Sequence, residues 1–443
     1  MSHPENAPEH GARSSWARRS TALLTFVAFT SVVACSDILE VDNPNNIAEE
    51  ALADPQAAAE QANGVLASTS RMLAAIATPY ATTTDELDWI GSRDAWLDLE
   101  SGAISNVGNE FTDQAFPFVG EARFVADESI KRLEGFKTKG TLKNKADLAR
   151  TYLYAAIVYS AIPDMFDDFA FSNKTVPGPA IGRANMSRLY DTAVVYLDRA
   201  NALGGDVDLS YAILGVRARV KHARAAWAKV TPKGTTPASP LVNDAGANAD
   251  ATAALALKAA DARFEILTVA SSQPDINVFF EVNGRNEMKI GAAYEALKDP
   301  ITGARDPASK GLIEEFQDDG EEQGDITIIS NRELHLILAE GALAAGNTGT
   351  FTTEINAVRS LDGLTPYTNQ IPALQILRFE RMANLFLMNR RLIDLYRFGE
   401  KVAEWKLDPN FESAFNVPGL LFPIPNVERL ANPCIAKPAQ CGG

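Results

Sequence analysis

The sequence predicts a mainly α-helical protein, with paired helices as a scaffold and a loop-rich region of few short strands set into it. Three observations carry this. First, residues 332–358 hold two amphipathic segments. Leu334, Ile337, Leu338, Ala342 and Ala345 recur at helical spacing, Gly346-Asn347 stops the first helix, and Ile355 and Val358 share one face of the second. Gly341 and Ala342 are small enough for a partner helix to approach closely, the arrangement of a tetratricopeptide-like hairpin. Second, apolar residues keep helical spacing over most of 47–230. Third, 231–330 loses that spacing: Pro232, Gly234, Pro237 and Pro240 punctuate its start.

In order, Ile47 to about Ala75 is Ala-rich and helical. Residues 79–112 are polar, carry Trp89 and Trp96, and show little helical periodicity. Helices return at 116–133 and 147–162, and Pro163-Asp164-Met165-Phe166 breaks the pattern. The spans 187–203 and 211–230 form another amphipathic pair. After the loop at 231–248 comes a helix over 250–264, then an irregular acidic stretch at 276–330 with short strands expected near Val278–Val282 and Ile326–Ile329. Thr352 or Thr353 is positioned to cap the second helix of the C-terminal hairpin. A third helix should begin at Pro372 and run to Gly399. It interleaves Arg378, Glu380, Arg381, Arg390, Arg391 and Asp394 with Leu377, Phe379, Leu385, Phe386 and Leu387. Unpaired buried charges are costly, so this mixture implies an ion-pair network locking the last helices in place.

The 443 residues carry a net charge of −16. Such acidity argues against nucleic acid or anionic lipid as partner. Beyond the N-terminal leader only His222 and His335 occur, far apart and both on helices. There is no HExxH, CxxC, Gly-rich phosphate loop or GxSxG elbow. No catalytic residue, metal site or cofactor is expected, and the acidic run Glu314 to Glu322 lacks calcium-loop spacing. Cys434 and Cys441 sit in a Pro- and Gly-containing tail and can close a small disulfide loop in an exported protein.

Export is what the N-terminus predicts. Arg13, Arg18 and Arg19 precede an apolar run, Thr21–Val33, too short to span a bilayer. The run ends Val32-Val33-Ala34-Cys35, a lipobox pattern that makes residues 1–34 a signal peptide and Cys35 the lipidated first residue. Removing that leader takes away three arginines and two glutamates, leaving the rest one charge more acidic. The mature chain, 35–443, reads as a single domain: helical repeats at about 47–230 and 331–399, a loop-rich insert at about 231–330, and a tail at 400–443.

The C-terminal motifs occur in a distinctive order. They are Arg332-Glu333-Leu334 with Ala339-Glu340; Ile355-Asn356-x-Val358-Arg359; Glu380-Arg381-x₃-Leu385; Arg391-x₂-Asp394-Leu395-x-Arg397-x-Gly399; and Phe422-Pro423-Ile424-Pro425-x₂-Glu428 before Asn432-Pro433. Together they resemble the C-terminal half of the SusD/RagB family of outer-membrane nutrient-binding lipoproteins, and Leu39-Glu40-Val41-Asp42-Asn43-Pro44 resembles that family's N-terminal stretch. Met388-Asn389 stands where the family usually has Glu-Gly, and the Cys-containing tail is also a departure. The resemblance implies a non-catalytic, lipid-anchored protein, exposed at the cell surface. It would pass an oligosaccharide or peptide to a SusC-like TonB-dependent outer-membrane transporter. The alternative is a helical-repeat assembly lipoprotein that binds only protein.

A sugar-binding surface needs aromatic faces for C–H groups and polar side chains for hydroxyls. Residues 85–96 supply that mixture, with Asp88, Trp89, Arg93, Asp94 and Trp96 as candidate ligand contacts. The resemblance implies contacts from such an early loop and from a second region before the C-terminal motifs, here around Phe279, Phe280, Arg285 and Tyr294. Trp89 and Trp96 can equally be core or partner-interface anchors.

Overall fold

The structure, a computed structural model, describes residues 49–173, 176–269, 276–320, 323–437 and 441. The leader, Cys35 and the 39–44 stretch lie outside these residues. The chain divides into two compact units, Met1–Ala51 and Leu52–Gly443, and the second carries the elements that follow.

Helix α1 (Ala58–Thr82) is followed by the short strand β1 (Leu87–Trp89) and helix α2 (Ala95–Glu100). Then come α3 (Glu110–Thr138), α4 (Lys145–Met165), α5 (Ser187–Leu203), α6 (Val207–Lys229) and α7 (Ala245–Leu255). Short polar side chains set several starts. Asn109, Asn144, Asp206 and Asp244 each accept a backbone N–H from the first turn of α3, α4, α6 and α7. Helix α1 packs on α3 and α4, α4 on α5, and α6 on α7. Ala74, Ala75, Ala77 and Ala81 of α1 are all buried, which allows close approach of its neighbours.

Two strand pairs interrupt the helices. β2 (Arg263–Val269) pairs antiparallel with β4 (Gln323–Ser330), and β1 pairs antiparallel with β3 (Met288–Ile290). The strand expected at 326–329 is therefore present. The helix expected over 250–264 is not: it stops at Leu255, and the β-branched, alternating run Arg263–Val269 takes a strand instead. Nor is Val278–Val282 a strand; Phe280–Gly284 forms a π-helical turn. Helix α8 (Pro307–Asp318) is capped by Asp306 and covers the part of the acidic run up to Asp318.

The C-terminal hairpin consists of α9 (Asn331–Ala344) and α10 (Thr348–Leu361), packed together, with α9 also on α7. Asn347, not Thr352 or Thr353, caps α10: its side chain accepts from Thr350 N, so the helix begins a turn earlier than expected. The long third helix is in fact two, α11 (Ala373–Asn384) and α12 (Arg391–Phe398). The break lies where Leu387 (φ 56°) and Asn389 (φ 55°) adopt left-handed backbone, which a helix cannot contain. Gly399 (φ 68°) ends α12 in the left-handed region that favours glycine. Cys434 and Cys441 are joined as a disulfide.

The motif arginines and acids form ion pairs in the interior. Arg359 bonds Glu380 (2.6 Å) and Asp299 (3.1 Å), all three fully buried. Asp394 accepts from Arg381 (2.7 Å) and Arg397 (2.8 Å), and Arg397 also reaches Glu340, which faces His222 at 3.0 Å. Burial alone would raise the Glu340 pKa, but Arg397 and His222 more than offset it and hold this carboxyl well below the usual range. The other histidine, His335, pairs with Glu354 at 2.7 Å. Both histidines thus have structural partners.

Candidate ligand-binding surface

The segment 80–86 leads out of α1 into β1, and the C-terminal motifs hold it in place. Arg391 grips Asp85 with two hydrogen bonds of 2.7 Å. Leu387 N donates to Glu86 Oε1 (2.7 Å), Leu392 N to the Tyr80 hydroxyl (3.1 Å), and Trp405 Nε1 to Thr83 O (2.9 Å). Burial pushes the Glu86 carboxyl up to about 8. The left-handed backbone at Leu387 is what turns its N–H toward that carboxyl. Motif residues far along the chain therefore position the early loop.

The turn after β1 wraps around one side chain, Glu287. Its Oε1 accepts from Ser92 N (2.9 Å) and Arg93 N (2.5 Å) and lies 3.5 Å from Trp89 Nε1, while its backbone O accepts from Ile90 N and Gly91 N, both at 3.1 Å. A Cβ at Gly91 would sit 2.2 Å from the Glu287 carboxyl carbon, so only glycine permits this approach. On the other side Glu100 accepts from Trp89 N at 2.7 Å. Trp89 is consequently fixed in direction and half-buried.

The six candidate contacts part company here. Trp96 is wholly buried, stacked on Phe111 with ring centroids 3.4 Å apart, so it has no face for a ligand. Tyr294 is also buried (1% exposed), against Phe386 at 5.1 Å. Both belong to the core and offer no contact to a ligand. A turn and the start of α2 separate Trp96 from Trp89, the last residue of β1. Arg93 is committed to Glu110 (2.7 Å) and Glu281 (3.3 Å) and lies 4.3 Å above the Phe111 ring. Burial raises Glu281 to about 7 despite Arg93 and Arg285 beside it. Asp88 accepts from Ala292 N (3.0 Å) and faces Lys289 at 3.6 Å. Asp94 is exposed at the start of α2, and its side chain makes no capping bond.

The second region is where the chain order alone could not put it. Strand β3 lies beside β1, with Trp89 opposite Met288 and Asp88 opposite Lys289. A groove of about 340 Å³ opens there, lined among others by Ile90, Asn283, Asn286, Lys289, Glu295 and Gln317. Phe279 is buried against Phe316 (4.7 Å) and is not part of it. The polar lining was missed in the sequence. Its only local signal was the cluster Asn283-Gly284-Arg285-Asn286, a turn-forming run in which Asn286 takes φ 55°.

No protein-family model and no curated protein sequence matches the chain. Solved structures do. A SusD superfamily protein from Bacteroides fragilis aligns over 87% of this chain and 99% of its own, with 16% identity and a TM-score of 0.61. The chain has the SusD-like fold. Two proteins from Bacteroides vulgatus agree. A putative sugar binding protein covers 85% of this chain and 96% of its own at 14% identity and TM-score 0.60. A SusD-like carbohydrate binding protein covers 86% and 96% at 12% identity and TM-score 0.58. In this SusD-like chain no helix among the described residues is long and apolar enough to cross a membrane.

Proposed function

We propose that this SusD-like protein is a non-catalytic, lipid-anchored binding protein of the outer-membrane surface that captures an oligosaccharide for a TonB-dependent transporter. The observation that carries the ligand part is the groove of about 340 Å³ beside β1 and β3; Trp89, a half-buried indole held by Glu100 and Glu287, directly precedes its lining residue Ile90. Grooves of this size accept small ligands, and a lining of Ile90, Asn283, Asn286, Lys289, Glu295 and Gln317 suits C–H faces and hydroxyls together. The likeness to structures described as sugar or carbohydrate binding supports the same class. The lipobox at Cys35 supports the anchor, and the motif order supports the family assignment and the transporter partner.

Ile90 (53% exposed) and Leu97 (44% exposed) flank the same surface and favour a second reading, in which the patch meets a protein. Calorimetric titration of the mature protein with neutral oligosaccharides and with peptides decides between them. Saturable oligosaccharide binding, weakened in Trp89→Ala, is expected. Loss of a co-purifying transporter in Ile90→Ser/Leu97→Ser, with no ligand bound by either form, would favour the interface reading.

A further inference from the structure

The lining of the groove beside β1 and β3 carries a finer chemical signature than sugar in general. No aromatic ring lines it among the described residues. Its exposed apolar surface is aliphatic and comes from Ile90, while Val282, Met288 and Ile290 are buried. One polar group is fixed in direction. Asn283 Nδ2 donates to Phe316 O (3.0 Å) and Gly320 O (2.8 Å), carbonyls at the end of α8. Only the amide nitrogen can serve two carbonyls, so the orientation of this side chain is decided. Its Oδ1 is left as an open acceptor that receives no donor from the described residues.

Asn286 and Gln317 add two exposed primary amides to the same lining. The charges do not favour an anion. Lys289 already faces Asp88 at 3.6 Å, and the exposed Glu295 has no basic partner among the described residues. A carboxylated sugar would meet the Glu295 carboxylate and the Asn283 oxygen together.

We propose that this groove selects oligosaccharides that carry 2-acetamido groups. The proposal rests on the carbohydrate reading above and narrows it. An acetamido group brings an N–H that only donates, a carbonyl that only accepts, and a methyl group. Asn283 Oδ1 only accepts and suits the N–H; the amide nitrogens of Asn286 and Gln317 suit the carbonyl. The methyl group covers Ile90, whose exposed side chain otherwise stands in water. A plain hydroxyl can also donate to Oδ1, but it leaves Ile90 uncovered.

The test compares three β-1,4-linked glucose tetramers that differ only at carbon 2, bearing a hydroxyl, an acetamido group or an ammonium group. Each is titrated calorimetrically into the mature wild-type protein, Ile90→Ala and Asn283→Ala, and hydrogen exchange places the ligand. The acetamido form is expected to bind wild type about tenfold more tightly than the hydroxyl form, with protection at 282–295. Ile90→Ala is expected to melt as wild type and to shrink that preference by about threefold. Asn283→Ala is expected to remove most of it; if this variant melts early, having lost its two bonds to the end of α8, Ile90→Ala decides. Equal binding of the hydroxyl and acetamido forms, or a preference unchanged in Ile90→Ala, overturns the selection and leaves the carbohydrate reading standing. Tightest binding of the ammonium form overturns it in favour of a cation site at Glu295. Binding of none of the three overturns it as well, and if xylo-, manno- and galacto-oligosaccharides also fail to bind, the carbohydrate reading falls with it.

Discussion

Glu86 shows how one buried carboxyl can position a surface it does not touch. It is fully buried, accepts from Leu387 N, and lies 3.2 Å from the Thr84 hydroxyl, which already donates to Ala81 O at 2.8 Å. A protonated Glu86 can therefore donate to Thr84. Its pKa is pushed up to about 8 by burial, from 4.5 in an exposed chain. The sign follows from linkage: the folded form holds a proton that the unfolded chain releases, so this stabilisation is complete below 4.5 and is lost as the pH rises through 8. Glu86→Gln is expected to keep stability within about 1 kcal/mol of wild type at acidic pH and to remove this part of the slope. Urea unfolding of both proteins across that window checks it; parallel profiles would mean that Glu86 is ionised in the folded protein. Glu281, raised to about 7, adds a slope of the same sign in both proteins and cancels from the comparison.

Among the elements, α11 and α12 bear the heaviest electrostatic load. Asp394 sits between Arg381 and Arg397, and removing it leaves two buried guanidinium groups short of a partner. Asp394→Ala is expected to lower unfolding stability by about 3–5 kcal/mol, measured by denaturant titration. Arg391 belongs to a different set, Asp85 and Glu400, although it lies only one turn away. In double-mutant cycles Arg391 should couple more strongly to Asp85 than to Asp394; the reverse order would contradict the pairing described here. The charge pattern among apolar residues made a network legible in the sequence, because buried ions must be paired, but partner choice was not legible. Asp85 lies some three hundred positions before Arg391, and nothing local links them. The same holds for the break at 385–390. Leu387 and Asn389 look helical in isolation, and only Glu86 and Arg219, which reach in from other elements, fix the left-handed turns. Helix existence was legible from periodicity, with α5 placed at its observed ends, whereas β2 and the early start of α10 depended on pairing and capping that the apolar spacing does not encode.

At the scale of the molecule, paired helices form a scaffold, and its C-terminal motifs clamp the 80–86 segment that carries the candidate surface. Trp89 and Trp96 have the same chemistry and were not distinguishable in the sequence; burial separates them. Anchoring belongs to this scale too. Cys35→Ser is expected to leave the precursor uncut or to release the protein from outer-membrane fractions, read by immunoblotting of fractionated cells, and an unchanged amount in a mutant lacking the transporter would contradict lipidation. The measurement closest to the central claim, that scaffold and binding surface meet between these two tryptophans, is paired melting and oligosaccharide titration of Trp89→Ala and Trp96→Ala. Trp89→Ala is expected to bind about tenfold more weakly, a loss of ~1.4 kcal/mol, and to lose less stability than Trp96→Ala, which is expected to lose about 3–5 kcal/mol with the folded fraction binding normally. A larger stability loss in Trp89→Ala than in Trp96→Ala, or normal melting with lost binding in Trp96→Ala, would contradict the assignment.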